Sequence, residues 1–225
     1  MIEFQNASYS YTGTELLTKM SLTIKAGVFY FITGPSGSGK STFLKMCYGA
    51  LTPNKGIIRF FGQNVQTMSR DEIAILRRKI GIIHQDCKFL DHLSVTENIV
   101  LPLSISGENR TDSAANIEEV LAWVGLKARA TAFPPELSGG ERQRAALARA
   151  VIMSPFLVLA DEPTGNVDWE MSQRLLQLLV ELNKMGKTIL LASHDLNLIR
   201  LAKSQTHARV LRIANKRIKV AGAKL

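Results

Sequence analysis

Cysteine is scarce in this chain. Cys47 and Cys87 are the only two, far apart and without a CxxC or Cys/His ligand spacing. That argues against a disulfide scaffold or a zinc site and suits a reducing compartment. Long apolar runs are missing too, since no segment reaches the ~18 residues that span a bilayer. The most apolar stretch, Val151 to Ala160, is broken by Pro155 and ends on Asp161. The N-terminus, MIEFQNASYSY, has no basic stretch followed by an apolar run, so no secretory leader is expected. Membrane spanning, if the system does it, must come from another chain. Acidic residues are few: 19 against 28 basic ones, for a net charge of +9. The basic residues are scattered, and a solvated basic surface accounts for most of them. Attraction to an anionic membrane face or to nucleotide phosphates is the functional reading. No helix-turn-helix, finger or RNA-binding aromatic signature accompanies the charge, so no nucleic-acid partner is expected. What is present is a globular composition, 46% hydrophobic and 21% charged, in 225 residues. That is enough for one large α/β domain with an inserted lobe.

The first third alternates strand-like and helix-like segments. Phe4 to Tyr11 and Leu16 to Ile24 read as strands around the Thr12-Gly13-Thr14 turn, and Val28 to Thr33 as a short buried strand. A helix is expected over Ser41 to Leu51 and another over Ser69 to Arg78, with strands at Ile57 to Phe61 and Ile80 to His84. Ser69 and Glu72 have capping-box spacing, and so do Ser94 and Glu97. The middle, roughly 86–137, reads as a helical lobe inserted into an α/β core, with a helix over Asp112 to Val124 and loops at Gly107 to Arg110 and Phe133 to Pro135. The last third returns to the core. Strands are expected at Phe156 to Ala160 and Thr188 to Ala192, a helix at Glu170 to Lys184, and a closing hairpin from His207 to Ala221.

Three motifs carry chemistry. The stretch Gly34-Pro35-Ser36-Gly37-Ser38-Gly39-Lys40-Ser41, continued by Thr42, fits GxxxxGK[ST] between an apolar strand and a helix. Its glycines let successive N–H groups face phosphate oxygens, and the helix N-terminus adds positive dipole. Lys40 can reach the terminal phosphates and the Ser41 hydroxyl can ligate Mg²⁺. The strand Phe156 to Ala160 delivers Asp161 and Glu162, one acid for the metal's shell and one to orient and deprotonate the attacking water. The third motif is Leu137-Ser138-Gly139-Gly140-Glu141. Ser138 and Glu141 have capping-box spacing, so a plain helix start is one reading. Two glycines in a first turn cost stability, about 1 kcal/mol each in a helix interior, and make sense where backbone approaches a phosphate closely.

This third stretch resembles the LSGGQ signature of the ABC ATPase family, with Glu141 in the last place, and the resemblance covers the chain in order. It implies a P-loop NTPase core with an antiparallel β lobe and an inserted helical lobe, all in one ABC ATPase domain over 1–225. It also implies a Mg²⁺-dependent ATPase. Tyr11 is similar to the aromatic that stacks on adenine, though an ordinary strand aromatic is the other reading. Gln85 resembles the glutamine that joins the metal site to the helical lobe, Asp168 in Gly165-Asn166-Val167-Asp168 the aspartate at the dimer contact, and His194 the histidine on the γ-phosphate. The other histidines, His84, His92 and His207, have no such support. By resemblance, ATP binds between Tyr11 and 34–42 of one copy and 138–141 of a second, in a homodimer under an integral-membrane subunit at the cytoplasmic face of the cell membrane.

Within the family, Gln85 to Leu103 and Asp161 to Asp168 are most similar to a branch acting in cell division, with lipoprotein-release and efflux branches nearby. Cys87, His84 and the Asn215-Lys216 turn depart from that branch. A soluble cassette acting on ribosomes or nucleic acid usually carries paired cassettes, and Leu137 to Glu141 speaks against a P-loop kinase outside the family. Phe89, Leu90, Leu93 and Val95 are candidates for a groove that receives a partner's amphipathic helix, with the lobe's own core as the alternative.

Overall fold

A computed structural model describes residues 1–107, 114–165 and 167–221. The chain opens with a long antiparallel pair, β1 (Ile2–Tyr11) and β2 (Thr14–Ile24), then enters β3 (Phe29–Thr33) and α1 (Lys40–Cys47). Next come β4 (Lys55–Phe60), the two-residue β5 (Gln63–Asn64), α2 (Arg70–Arg78) and β6 (Ile80–Ile83). Among the described residues three α-helices separate β6 from the next strand: α3 (Val95–Ser106), α4 (Ala114–Trp123) and α5 (Gly139–Val151). The chain then alternates β7 (Leu157–Asp161), α6 (Trp169–Lys184), β8 (Thr188–Ala192) and α7 (Leu196–Gln205), and ends on the hairpin β9 (Ala208–Ala214) and β10 (Arg217–Val220).

Two sheets result. The antiparallel one has the order β2-β1-β4-β5, and the six-stranded one β10-β9-β3-β8-β7-β6. In the larger sheet β9, β3, β8, β7 and β6 are parallel and only β10 runs against its neighbour. Strands covered on both faces are apolar along their length, and so are β3, β7 and β8 apart from Thr33, Asp161 and Thr188 at their ends. Phe29, Phe31, Val158, Ala160, Ile189 and Leu191 face the core shared with α3, α5, α6 and α7. Their neighbours Tyr30, Ile32, Leu157, Leu159, Leu190 and Ala192 face a second core with α1 and the antiparallel sheet. This alternation fixes the register, because a one-residue slip would exchange the two cores.

The expected elements form, with differences at their ends. Helix α1 stops at Cys47, short of Leu51, because the chain turns at Gly49 with a φ of +68°. Helix α7 and β5 were not expected. Residues 112–113 of the expected middle helix, the loop residues 108–110 and Asn166 lie outside the described residues. Val95 is a core residue rather than part of a groove, being 1% exposed. Phe89 is half-buried beneath two guanidinium groups, with Arg149 4.7 Å and Arg142 5.7 Å from its ring centre. Among the described residues no helix is long and apolar enough to cross a membrane.

Candidate functional site

Ligands in open parallel sheets bind beyond the carboxyl ends of the strands, and here β3, β7 and β8 deliver their loops to one place. After Thr33 the backbone wraps through 34–39, and Gly39, with a φ of +103°, is the N-cap of α1. A side chain at Gly39 would come within 3.2 Å of Leu16 and Leu17, so the glycine is demanded by packing as well as by φ. Lys40 is 7% exposed. Its Nζ donates to the carbonyls of Gly34 at 3.0 Å and Pro35 at 3.2 Å, and lies 3.1 Å from Glu162 Oε1. Ser36 and Ser41 are exposed, Thr42 is buried, and the buried Ser38 Oγ has no hydrogen-bond partner.

The two acids of β7 sit differently. Asp161 ends the strand, and its Oδ1 is buried without a hydrogen-bond partner. Glu162 has left-handed backbone, φ +45°, which costs roughly 1–2 kcal/mol for a residue with a Cβ. Its amide is tied to Ala192 of β8 at 3.1 Å, and its carboxylate reaches Lys40 on one side and His194 Nδ1, 3.5 Å away, on the other. His194 is itself exposed, in the loop between β8 and α7. Left-handed backbone at a residue held by two functional partners is the kind of strain found at active sites. Gln85 is exposed two residues beyond β6, and its Nε2 lies 4.0 Å from where a Cβ on Gly165 would stand. Tyr11, at the end of β1, is 43% exposed and stands edge-on to Tyr9 with ring centres 4.8 Å apart.

The structure thus brings together Lys40, Glu162 and His194, with the loop carbonyls of Gly34 and Pro35 on Lys40. It puts Ser138, Gly139, Gly140, Glu141 and Asp168 in a different setting. Ser138 does form the capping box of α5: its Oγ accepts from the Glu141 amide, and Glu141 Oε2 accepts from the Ser138 amide at 2.8 Å. Arg129 Nε donates to Glu141 Oε1 at 3.0 Å. These bonds, the one from the Ser138 amide foremost, hold the Glu141 carboxyl below its ordinary pKa. Gly140 has a packing reason that its sequence position did not suggest, because a Cβ there would stand 2.7 Å from the Met171 side chain. Asp168 caps α6 by accepting from the Met171 amide at 2.7 Å. Met171 therefore joins the signature helix to the Asp168 cap, a role no motif announces. Gln143 and Arg149 of α5, also unmarked by any motif, bond to the segment at Gln85.

The donor set suits a divalent cation. An anionic oxygen buried without a partner at Asp161 demands a cation or a bound water, and the hydroxyl of Ser41 and amide of Gln85 are oxygen donors of the kind Mg²⁺ takes.

A strand, a glycine-rich loop and a helix opening on lysine, faced by an acidic pair at the end of a parallel strand one place removed in the same sheet, define a P-loop nucleoside triphosphatase. The family model for ABC transporters matches residues 17–165. The chain belongs to that family. It is 43% identical over 201 residues to the cell division ATP-binding protein FtsE of Haemophilus influenzae, covering 88% of this chain and 92% of that protein. With the FtsE of Bacillus subtilis it shares 40% over 209 residues, 92% of each chain. Among solved structures it is similar to the ATP-binding cassette MJ0796 in a dimeric post-hydrolysis state bound to ADP and Pi. The TM-score is 0.86 at 31% identity, over 97% of both chains. It is also similar to cbiO1 of Clostridium perfringens, part of the transporter complex cbiONQ, with TM-score 0.86 and 28% identity over 97% of this chain and 86% of that one.

Proposed function

We propose that the chain is the ATP-binding and ATP-hydrolysing subunit of a membrane ABC complex that works in cell division, of the FtsE type. The observation that carries the chemistry is the contact of Lys40 with Glu162 at 3.1 Å beneath the phosphate loop, with His194 on the other carboxylate oxygen. An incoming triphosphate competes for Lys40, so its arrival frees Glu162 to take a proton from water. His194 and Lys40 then face the γ-phosphoryl oxygens, where charge redistributes in the transition state. Asp161, Ser41 and Gln85 hold Mg²⁺, which supplies charge neutralisation at the phosphate oxygens. Tyr11 stacks on the adenine ring, and its exposure leaves a face for that purpose.

Residues 138–141 and Asp168 are spoken for by their own helix caps, and their exposed edges complete the site of a second copy in a head-to-tail homodimer. Residues 86–137 act as a helical lobe that moves against the core. The integral-membrane subunit, of the FtsX type, docks in a cleft of about 530 Å³ between β6 and the lobe. Its walls include Ile82, Leu101, Pro102 and Ile105, and its rim carries Arg78 and Lys88. An amphipathic helix laid in such a groove would hold this chain against the membrane subunit, on this reading at the cytoplasmic face of the membrane.

The test is Glu162→Gln with Mg-ATP. Hydrolysis is expected to fall by at least ~10²-fold, the low end for loss of a general base. The ATP-bound variant is expected to dimerise by light scattering while the apo protein stays monomeric, and Ser138→Arg to block dimerisation without unfolding. Turnover near wild type removes Glu162 from the base role. A monomer that hydrolyses ATP at a rate linear in protein concentration removes the shared site.

A further inference from the structure

Helix α5, which begins at the signature residues, is seated directly on the strand leading to Gln85. A Cβ on Gly81 of β6 would lie 2.1 Å from the Ala150 carbonyl, so strand and helix touch backbone to backbone. From this seat α5 grips the segment after β6 at three points. Gln143 Nε2 donates to the Gln85 carbonyl at 3.3 Å. Arg149 donates to the Lys88 carbonyl at 2.8 Å and to the carbonyl of Cys87. The Phe89 ring lies within cation–π reach of both Arg142 and Arg149. The gripped residues are in strained backbone, φ +56° at Cys87 and +45° at Lys88, which persists only where surroundings enforce it.

The grip is also half-finished. Gln143 is 4% exposed, and while its Nε2 is bonded, its Oε1 is buried without a partner. Such a group costs stability unless a donor, a water included, reaches it.

Resting on the reading of Gln85 given above, we infer that Gln143 and Arg149 are positioning residues that transmit movement at Gln85 into the signature helix, and so couple nucleotide sensing to assembly of the second copy's site. Gln143 moves with the Gln85 carbonyl, Arg149 holds the strained turn as one body with α5, and Phe89 is the bearing between the two arginines.

The decisive variant is Gln143→Leu, which removes both amide functions at similar volume. Because Oε1 is idle here, the melting temperature is expected to stay level or rise, and KM for ATP to stay within about two-fold of wild type. By contrast kcat is expected to fall roughly 3- to 30-fold, the span of couplings carried by residues that touch neither ligand. Arg149→Met, which keeps the aliphatic stem but has no donor for either carbonyl, is expected to act in the same direction and decides the matter if the leucine variant does not fold. Wild-type kcat in both folded variants overturns the inference. So does a joint loss of melting temperature, KM and kcat, which is the mark of a merely structural role. Gln85→Ala separates the two readings. If kcat is unchanged there, Gln85 is not a sensor and the inference falls with it. If Gln85→Ala is impaired and Gln143→Leu is not, the coupling alone is wrong.

Discussion

Lys40 is buried among three oxygens, two from its own loop and one from Glu162, and each acts on its charge. A lysine held this way is pre-aimed, so little side-chain entropy remains to be lost when phosphate replaces the carboxylate. Lys40→Ala is expected to abolish hydrolysis and to weaken nucleotide binding by about 1.5–3 kcal/mol, the worth of a charged hydrogen bond. Titration calorimetry with ATP checks this, and unchanged affinity would take Lys40 out of the binding site. At this scale the sequence was readable where chemistry demands a fixed spacing, as at 34–42 and at Asp161 and Glu162. It was not readable where a role depends on what packs opposite. Met171, Gln143 and Arg149 are ordinary helix residues until α5 is laid against β6 and α6. Gly140 has a second reason to be glycine that its sequence position did not show, its close approach to the Met171 side chain.

Among elements, the three serine–glutamate pairs were the most legible signals, and Ser69, Ser94 and Ser138 each cap a helix. Both groups of a capping box lie within four residues, so nothing distant can override them. Helix α7 escaped notice although Asp195 caps it and Leu198, Ile199 and Ala202 form its buried face. Three apolar positions behind a histidine motif are too short a run to show a period. Strand β5 is two residues long and exists only by pairing with β4. The box at Ser138 and Glu141 yields a pH test. Its carboxyl pKa is lowered in the fold, so its contribution to stability is present above the unfolded value, about 4.3, and is lost as pH falls through the folded value. Glu141→Gln is expected to destabilise by about 1 kcal/mol or less at neutral pH. The gap between the melting curves of wild type and variant is expected to close below pH 4. A gap that does not change with pH would mean that shape, not charge, makes the cap.

At the scale of the whole molecule, the sheet separates two surfaces. The residues proposed to hold nucleotide lie beyond the carboxyl ends of β3, β7 and β8, while the cleft proposed for the membrane subunit lies at the far edge strand, β6. Gln85 stands between them, two residues past the end of β6. Of the four apolar residues first considered for docking, Val95 belongs to the core and Phe89 to the arginine grip, so changing either would test folding rather than docking. Ile105 on α3 is better placed, since it lines the cleft and is 72% exposed. An exposed apolar side chain there contributes little to this chain's own stability and is available to a partner's apolar face. Ile105→Asp is expected to leave the melting temperature within a degree or so and basal ATPase unchanged, because surface substitutions cost about 0.5 kcal/mol or less. Co-purification with the membrane subunit is expected to be lost, because burying an unpaired carboxylate in an apolar contact costs several kcal/mol. A positive rim at Arg78 and Lys88 could rescue a misplaced carboxylate at the cleft's edge, so Ile105→Lys is the stricter companion, since it adds a charge of the same sign as that rim. If both variants bind the membrane subunit as wild type does, the stroke leaves this chain through another surface.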